Sequence, residues 1–511
     1  MSGTAERPQD TFIPPPPGET LGHPRQLWML FMTEFWERFC FYGFRWMLTL
    51  YIVAQFFGGD PAGQATASQT YGAYLALVYA TAIAGGYVAD QILGYQRSVL
   101  LGALFISAGL FTLMMPDEAM FKYGLSLAIV GNGLFKPNIS TMVGKLYAPN
   151  DSRRDRGFTI FYMGINSGAF FAPLVTGWVA AQMGYLSLNP ADLQAEGLRF
   201  GFATAGVGML ISYFWFLFGR RSLGLVGGPP PGREGWGSLI AITAAGLVVS
   251  PLIFILLGQN QWLSGILGSL FIGCCVVLIA AGIRDGNIQR DRIFALLILF
   301  TANVMFWMFF EQAGASFNFL AEGIVDRQMF GGWEFPVGWF QSVNPAAVIL
   351  LAPLVTLLWA WLDKRGMEPN IPRKFGIGLI GNAAGFALLM YALTYLVDDR
   401  SQIPFWTLAG VYVLQTAGEL HLSPIGLSMV TKLAPARLVG LTMGAWFLSI
   451  SIGNSLAGSF SAWISSAGGE AGMTVVSARD GFTLSFWLLL GAGIMVFILA
   501  PFINRLMHGV R

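Results

Sequence analysis

Fourteen apolar stretches, each long enough to cross a bilayer as a helix, follow one another along this chain with short connections between them. They lie near 26–57, 68–94, 97–115, 121–147, 157–184 and 198–220, then 236–257 and 261–284, then 293–323, 341–363, 373–397, 403–434, 437–466 and 481–505. Inside lipid no water satisfies backbone N–H and C=O groups, so such runs fold as helices whose hydrogen bonds are internal. Only 11% of the residues are charged and 55% are hydrophobic, whereas a soluble protein carries about a quarter charged residues. The chain therefore reads as an all-α polytopic membrane protein.

The spans group as six, two and six. Residues 1–25 form a polar tail with Pro14 to Pro17 consecutive, read as disordered, cytoplasmic and without a signal peptide. A first six-helix bundle occupies 26–220, a linker with two additional transmembrane helices 221–292, and a second six-helix bundle 293–511. The linker carries Gly227-Gly228-Pro229-Pro230-Pro231-Gly232, and no segment outside the membrane is long enough for a separate soluble domain. Of 29 Lys and Arg, 21 fall in the tails and loops assigned to the cytoplasm, among them Arg153-Arg154-Asp155-Arg156 and Lys364-Arg365. Five fall outside (Lys122, Arg199, Arg327, Arg400, Arg479) and three within spans. This bias and the even span count place both termini in the cytoplasm. A net charge of +2 does not suggest nucleic acid as a partner, and Cys40, Cys274 and Cys275 all lie in apolar runs, so no disulfide framework is implied.

Against that apolar background the few buried charges are informative. Glu34, Arg38 and Tyr42 fall at i, i+4, i+8 on the first span, with Glu37 and Arg45 beside that line. Counting only the twelve spans of the two bundles, Lys136 sits on the fourth, Glu311 on the seventh, and Glu419 and His421 on the tenth. Charge at membrane depth costs several kcal/mol per group on insertion scales and marks an ion or substrate path. Three cations face four carboxylates, so one acid is in excess, and an acid that gains and loses a proton as a cavity alternates is what proton coupling needs. A structural salt bridge alone does not require so many charges. No His/Asp/Glu grouping has metal-ligand spacing and no serine elbow is present, which argues against a metal site and against an enzyme.

Six plus six spans around a linker resemble the major facilitator superfamily, two bundles around a central cavity. Gly86-Tyr87-Val88-Ala89-Asp90-Gln91-Ile92-Leu93-Gly94-Tyr95-Gln96-Arg97 looks like its cytoplasmic gate signature, where glycine permits close helix approach and the aspartate caps or pairs across the gate, with Gln91 where an arginine is common. Glu34-Phe35-Trp36-Glu37-Arg38-Phe39 with Tyr42-Gly43 resembles the E-x-x-E-R-F-x-Y-Y-G signature of the proton-coupled oligopeptide transporter family, and Phe161-Tyr162-Met163-Gly164-Ile165-Asn166-Ser167-Gly168 its F-Y-x-x-I-N-x-G motif. Gly133 to Asn138, Phe310-Glu311-Gln312, Asn344-Pro345, and Gly418-Glu419 with Ser423-Pro424 are also similar to family stretches, in the family's order. The extra helix pair matches the bacterial members; it lacks internal charge and is expected outside the bundles, against lipid.

The resemblance implies proton-coupled symport of di- and tripeptides by alternating access across a bacterial inner membrane, by a chain functional as a monomer and driven by protons without a cofactor. It implies that Arg45 and Lys136 hold the peptide carboxylate and Glu419 the ammonium. Asn166 and Asn344 would bond the peptide's termini or amide, Tyr42, Tyr79, Trp307 and Trp446 would line side-chain pockets, and Ser423 belongs to the same site. Glu34, Glu37, Arg38 and Glu311 form the implied proton-coupling cluster, with Glu311 beside Arg38. Lys136 is expected to pair with Glu419 when the site is empty. Phe41 replaces the first tyrosine of the family's pair, and Gly72 stands near where animal members carry a histidine. His421, about 200° around the helix from Glu419, faces away from the pocket. The alternative is a same-fold transporter of another small anion or zwitterion such as nitrate, which the complete first-helix cluster disfavours.

Overall fold

The computed structural model describes residues 12–148, 150–186, 189–467 and 471–510. Fourteen crossings are built from sixteen α-helices, because two crossings are interrupted. The first crossing is α1 (Arg25–Arg45) followed by α2 (Met47–Phe56), and α3 (Gly63–Val88), α4 (Tyr95–Leu113), α5 (Glu118–Lys145), α6 (Arg154–Gln182) and α7 (Ala191–Gly219) complete the first half. Helices α8 (Trp236–Leu257) and α9 (Asn260–Arg284) form a hairpin. The second half begins with α10 (Asn287–Phe310) and α11 (Ser316–Gly323) and continues through α12 (Val343–Asp363), α13 (Ile371–Tyr395), α14 (Phe405–Leu433), α15 (Val439–Ser466) and α16 (Val475–Leu506). Two-residue strands add little: β1 (Glu19–Thr20) pairs antiparallel with β2 (His23–Pro24), and β3 (Val325–Asp326) parallel with β4 (Ile403–Pro404). The six, two and six grouping of apolar runs is the observed arrangement.

Among the described residues, eleven helical stretches are long and apolar enough to cross a membrane on length and composition alone. The crossings carried by α1, α5 and α14 are not among them, and these three bear Glu34, Glu37, Arg38, Arg45, Lys136 and Glu419. Polar side chains lower their hydropathy while the bundle covers them, so function is visible as a defect in apolarity.

An even number of crossings brings both termini to one end of the molecule. There Glu19 pairs with Arg153 at 2.7 Å, His23 Nδ1 lies 2.8 Å from the Tyr147 hydroxyl, and His508 Nε2 lies 3.0 Å from Asp291. The linker is clamped at the same end. The Gln96 amide N–H donates to Gly227 O (2.9 Å), Gln96 Nε2 to Val226 O (2.8 Å), and Arg97 Nη1 to Gly235 O (2.9 Å). Gly94, between α3 and α4, has φ +74°, and a Cβ there would lie 2.4 Å from Gly228 O, so conformation and space both require glycine. In the stretch that resembles a gate signature, α3 runs on through a π-helical turn at Ala89–Leu93, where Asp90 accepts a hydrogen bond from the Tyr95 hydroxyl. The close helix approach falls one residue earlier than that stretch begins: a Cβ on Gly85 would strike Gly133 O of α5 at 1.8 Å.

The two halves meet along two seams, α3 against α15 and α6 against α12. At the first, a Cβ on Gly72 would sit 2.7 Å from Gly458 Cα and 2.8 Å from Asn454 O. The helices cross there backbone to backbone, which leaves no room for a histidine at this place. Ser68 and Ser461 hydroxyls, 2.8 Å apart, and Ser451 Oγ donating to Ala76 O at 2.6 Å fasten the same seam. The hairpin lies over it. Helix α8 packs on α5 and α3, with Gly246 against Phe105 of α4 and Val130 of α5, and α9 packs on α10 and α15, with Ser264 and Ser455 hydroxyls 3.0 Å apart. Most large side chains of the hairpin are exposed, as its uniform apolarity predicts for a lipid-facing pair.

Both interruptions serve contact between the halves. At the α1–α2 break the Trp46 carbonyl accepts from Asn318 Nδ2 of α11 at 2.9 Å. Asn318 also donates to Thr49 Oγ1 (3.1 Å), and the Trp46 indole N–H donates to Thr176 Oγ1 of α6 (3.1 Å). The second break is the 3₁₀ turn Glu311–Gly314, buried throughout. Irregular backbone is tolerated at membrane depth where protein surrounds it, as here. These contacts close the end opposite the termini. At the terminal end, Tyr87, Tyr162, Met163 and Pro424 are exposed.

Candidate functional site

A cavity of about 60 Å³ lies between the halves near the middle of the crossings, room for roughly four waters. Its first-half wall is Arg38, Phe41, Tyr42 and Arg45 of α1, Leu75 and Tyr79 of α3, and Lys136 of α5. Its second-half wall is Trp307, Phe310, Glu311 and Ala313, then Gln341 and Asn344, then Tyr412, Gln415 and Glu419 of α14. Nine of the fourteen residues singled out from the sequence line it: Arg38, Glu311, Arg45, Lys136, Glu419, Asn344, Tyr42, Tyr79 and Trp307.

The charges sort into pairs as follows. Arg38 is held by both first-helix acids, Nε 3.2 Å from Glu34 and Nη2 2.7 Å from Glu37 Oε1, all three at least nine-tenths buried. Glu34 and Glu37 thus stand behind Arg38 rather than on the cavity. Arg45 Nη2 pairs with Glu311 Oε2 at 3.1 Å, and the Tyr71 hydroxyl donates to the same oxygen at 3.2 Å. This corrects the expected partner of Glu311, which is Arg45 and not Arg38. The reason is spatial: Arg38 is saturated by two carboxylates of its own helix, while Arg45, two turns further on, reaches the 3₁₀ turn where Glu311 sits.

Lys136 and Glu419 do not pair, contrary to expectation. Lys136 Nζ lies 4.2 Å from the centre of the Tyr79 ring and 5.9 Å from that of Phe41, positions in which a ring face attracts a cation. Glu419 Oε2 accepts from Asn344 Nδ2 at 3.0 Å, and Asn344 also donates to Thr416 Oγ1 at 2.8 Å. Among the described residues neither Lys136 nor Glu419 has an ion-pair partner within 4.0 Å. The cavity therefore presents one uncommitted ammonium on the first half and one uncommitted carboxylate on the second. Phe41, in place of a tyrosine, lies 5.1 Å from the Arg38 guanidinium carbon and stabilises cations through its ring face.

Besides Glu34 and Glu37, three of the residues singled out stand off the cavity. Asn166 Nδ2 donates back along its own helix to Tyr162 O at 3.0 Å. Trp446 is wedged into the second half against Phe300 (5.8 Å between ring centres), Phe375 (6.4 Å) and Gly426, where a Cβ would meet the indole at 2.3 Å. Ser423, half-buried, lies one turn beyond Glu419 toward the terminal end. His421 faces away as expected: Nδ1 lies 2.6 Å from Ala417 O, and the ring meets Trp359 of α12 edge-on at 5.0 Å. Sequence reasoning missed Tyr71, Gln341, Tyr412 and Gln415. They lie outside recognisable motifs, and only Gln415, an amide one turn before Glu419, carried a signal that helical spacing exposes.

A family model described as the POT family matches residues 96–475. The peptide transporter YePEPT of Yersinia enterocolitica is 36% identical over 97% of this chain and 98% of its own length. The dipeptide and tripeptide permease B of Aliivibrio fischeri is 31% identical over 84% of each chain. Among solved structures, a peptide transporter POT in complex with sulfate superposes with a TM-score of 0.80 at 33% identity, covering 98% of each chain. A POT family transporter in complex with 5-aminolevulinic acid superposes with 0.78 at 30% identity, covering 95% of this chain and 98% of that one. These similarities run nearly end to end and include the cavity walls, and the fold is that of the major facilitator superfamily with two added helices. The chain is a transporter and belongs to the POT family, the proton-coupled oligopeptide transporters that its motifs resemble.

Proposed function

We propose that this protein carries di- and tripeptides with protons across a bacterial inner membrane by alternating access, with both termini in the cytoplasm and one chain as the working unit. The observation that carries the reading is the pair of uncommitted charges, Lys136 on the first half and Glu419 on the second, facing one cavity. A peptide zwitterion complements both, and its binding draws the halves together. Arg45 offers a planar guanidinium to the same carboxylate once Glu311 is protonated. Asn344 holds Glu419 in place, and Tyr42, Tyr79 and Trp307 accept varied side chains. Asn166, Ser423 and Trp446 join the site as the cavity widens toward the terminal end. The names of the relatives, peptide transporter and dipeptide and tripeptide permease, support the substrate class.

Coupling follows from the pairing. Ionised Glu311 occupies Arg45 and fixes α10 to α1; protonation releases Arg45 to the substrate and loosens the halves. Glu34 and Glu37 keep Arg38 neutralised throughout. The test is uptake of labelled dialanine into proteoliposomes with and without an inward proton gradient. Accumulation that needs the gradient and collapses with a protonophore is the expected result. Failure to take up dialanine in either condition, with folded protein, refutes the peptide reading and directs the search to nitrate and small zwitterions.

A further inference from the structure

We propose that Gln415 is a specificity-determining residue whose side-chain amide donates to the first mid-chain carbonyl of the substrate, so that the site reads the peptide's interior as well as its ends. The inference deepens the peptide reading and rests on it.

Helix α14 lines the cavity with Tyr412, Gln415 and Glu419, spaced i, i+3, i+7 on one face. The outer two are engaged. The Tyr412 hydroxyl donates to Ala313 O at 3.1 Å, and Glu419 accepts from Asn344. Gln415, between them, is 1% exposed, and its Nε2 has no hydrogen-bond partner among the described residues. A buried amide donor left unmade is unfavourable, and the great majority of such groups are satisfied. Its stem packs beside Gly385 of α13, where a Cβ would lie 2.8 Å from Gln415 Cγ.

The other amide and indole donors on this wall are committed. Gln341 Nε2 lies 3.2 Å from Asn318 Oδ1 and donates also to Ala313 O, Asn344 Nδ2 serves Glu419 and Thr416, and Trp307 Nε1 donates to Asn303 Oδ1 at 3.0 Å. Four residues of helix rise separate Gln415 from Glu419 by about 6 Å along the axis, toward Ala313 and the Arg45–Glu311 pair. A peptide with its ammonium at Glu419 and its carboxylate toward Arg45 and Lys136 passes its first carbonyl across Gln415. Gln415 thus brings an amide donor that the protein leaves unmade to the wall along which the substrate's acceptor passes. It also sorts zwitterions: those with a carbonyl between the charged ends satisfy Nε2, and those with a plain alkyl chain leave it unpaired.

Three ligands of matched length separate the elements. Glycylglycine has both ends and the amide; 5-aminolevulinate has the same ends and carbonyl with a methylene in place of N–H; 5-aminopentanoate has the ends alone. Inhibition constants against labelled dialanine uptake are measured for the wild-type chain and Gln415→Met, which keeps the side chain's length. Gln415→Met is expected to weaken glycylglycine and 5-aminolevulinate about tenfold and to leave 5-aminopentanoate within about twofold. Equal weakening of all three marks a packing role and overturns the proposal, as does no change in any. Weakening of glycylglycine alone means that the amide oxygen reads the peptide N–H, and overturns the donor assignment. If Gln415→Met does not fold, Gln415→Leu, uncharged and likewise without the N–H donor, gives the same three-way comparison. A wild-type chain that takes up no dialanine fails the peptide reading before any variant is measured.

Discussion

Replacing Glu311 by glutamine isolates the charge that joins the two halves. The Arg45–Glu311 pair is 3.1 Å long with side chains 8% and 4% exposed. At an effective dielectric constant of about 20, unit charges at that distance attract by roughly 5 kcal/mol, and removing one partner of a buried pair costs about 3–5 kcal/mol, because the other charge is left uncompensated. Glutamine preserves the shape and can still accept from the Tyr71 hydroxyl, now 3.2 Å from Oε2, so the perturbation is nearly pure charge. The uncompensated cation is Arg45, on the cavity wall, and a substrate carboxylate becomes its best partner. Glu311→Gln therefore mimics the protonated acid at every pH. Peptide binding is retained, while the gradient is no longer used. Each pH unit stores about 1.4 kcal/mol per proton, so a gradient of two units supports up to about 100-fold accumulation at one proton per peptide. The variant brings the inside concentration only to the outside level. Proteoliposome uptake under a gradient, with counterflow exchange as the control for folding and binding, reads both quantities. Uphill accumulation by Glu311→Gln, or loss of its counterflow, refutes the coupling assigned to this pair.

Other perturbations follow from the same structure. Lys136→Met and Glu419→Gln each remove one uncommitted charge and are expected to raise the half-saturation concentration of dialanine at least tenfold in folded protein; N-acetylated dialanine should be indifferent to the second change, and an effect there argues against Glu419 as the ammonium partner. Gly72→Ala places a carbon 2.7 Å from Gly458 Cα, so the seam must part by about 1 Å to reach ordinary contact; overpacking of about 1–3 kcal/mol should lower the melting temperature and slow uptake, and an unchanged protein would show that the crossing is not tight. Asn318→Ala removes the donations to Trp46 O and Thr49 Oγ1 that join the halves in the closed arrangement, a loss of about 1–3 kcal/mol for the two bonds, shifting the population toward opening at that end by roughly 5- to 150-fold; spin labels at Asp60 and Asp326 would report the longer distance.

The number and grouping of crossings were legible because apolar runs separated by charged loops leave a membrane chain few options. The site was legible for a related reason: Glu34, Arg38, Arg45, Lys136 and Glu419 are anomalies in those runs, and an anomaly at membrane depth needs a use. What the sequence withheld is who faces whom. Arg38 and Arg45 are alike in kind and two turns apart, and the choice of Glu311 between them depends on how α10 meets α1 across the cavity. The breaks at Trp46 and Gly314 were also hidden, because an apolar run carries no mark of where its helix yields to a neighbour's hydrogen bond. Trp446 shows the converse: a residue expected on the pocket from the family resemblance is packed out of reach between Phe300 and Gly426 in this arrangement. Gln415 was overlooked because an uncharged amide does not stand out, although its burial makes it as demanding as a charge.

The hairpin of α8 and α9 makes the molecule lopsided toward its surroundings. A crevice that opens between two halves in a bilayer has two side slots through which acyl chains can enter. One slot, along α3 and α15, has the hairpin standing over it. The other, along α6 and α12, is flanked by exposed Phe171, Trp178, Leu350 and Leu354 with no further helix over it among the described residues. Hydrophobic molecules dissolved in the leaflet thus meet the crevice from one side only. A photoreactive lipid should label α6 and α12 and spare α3 and α15, and a membrane-soluble inhibitor that wedges the halves apart has a single door.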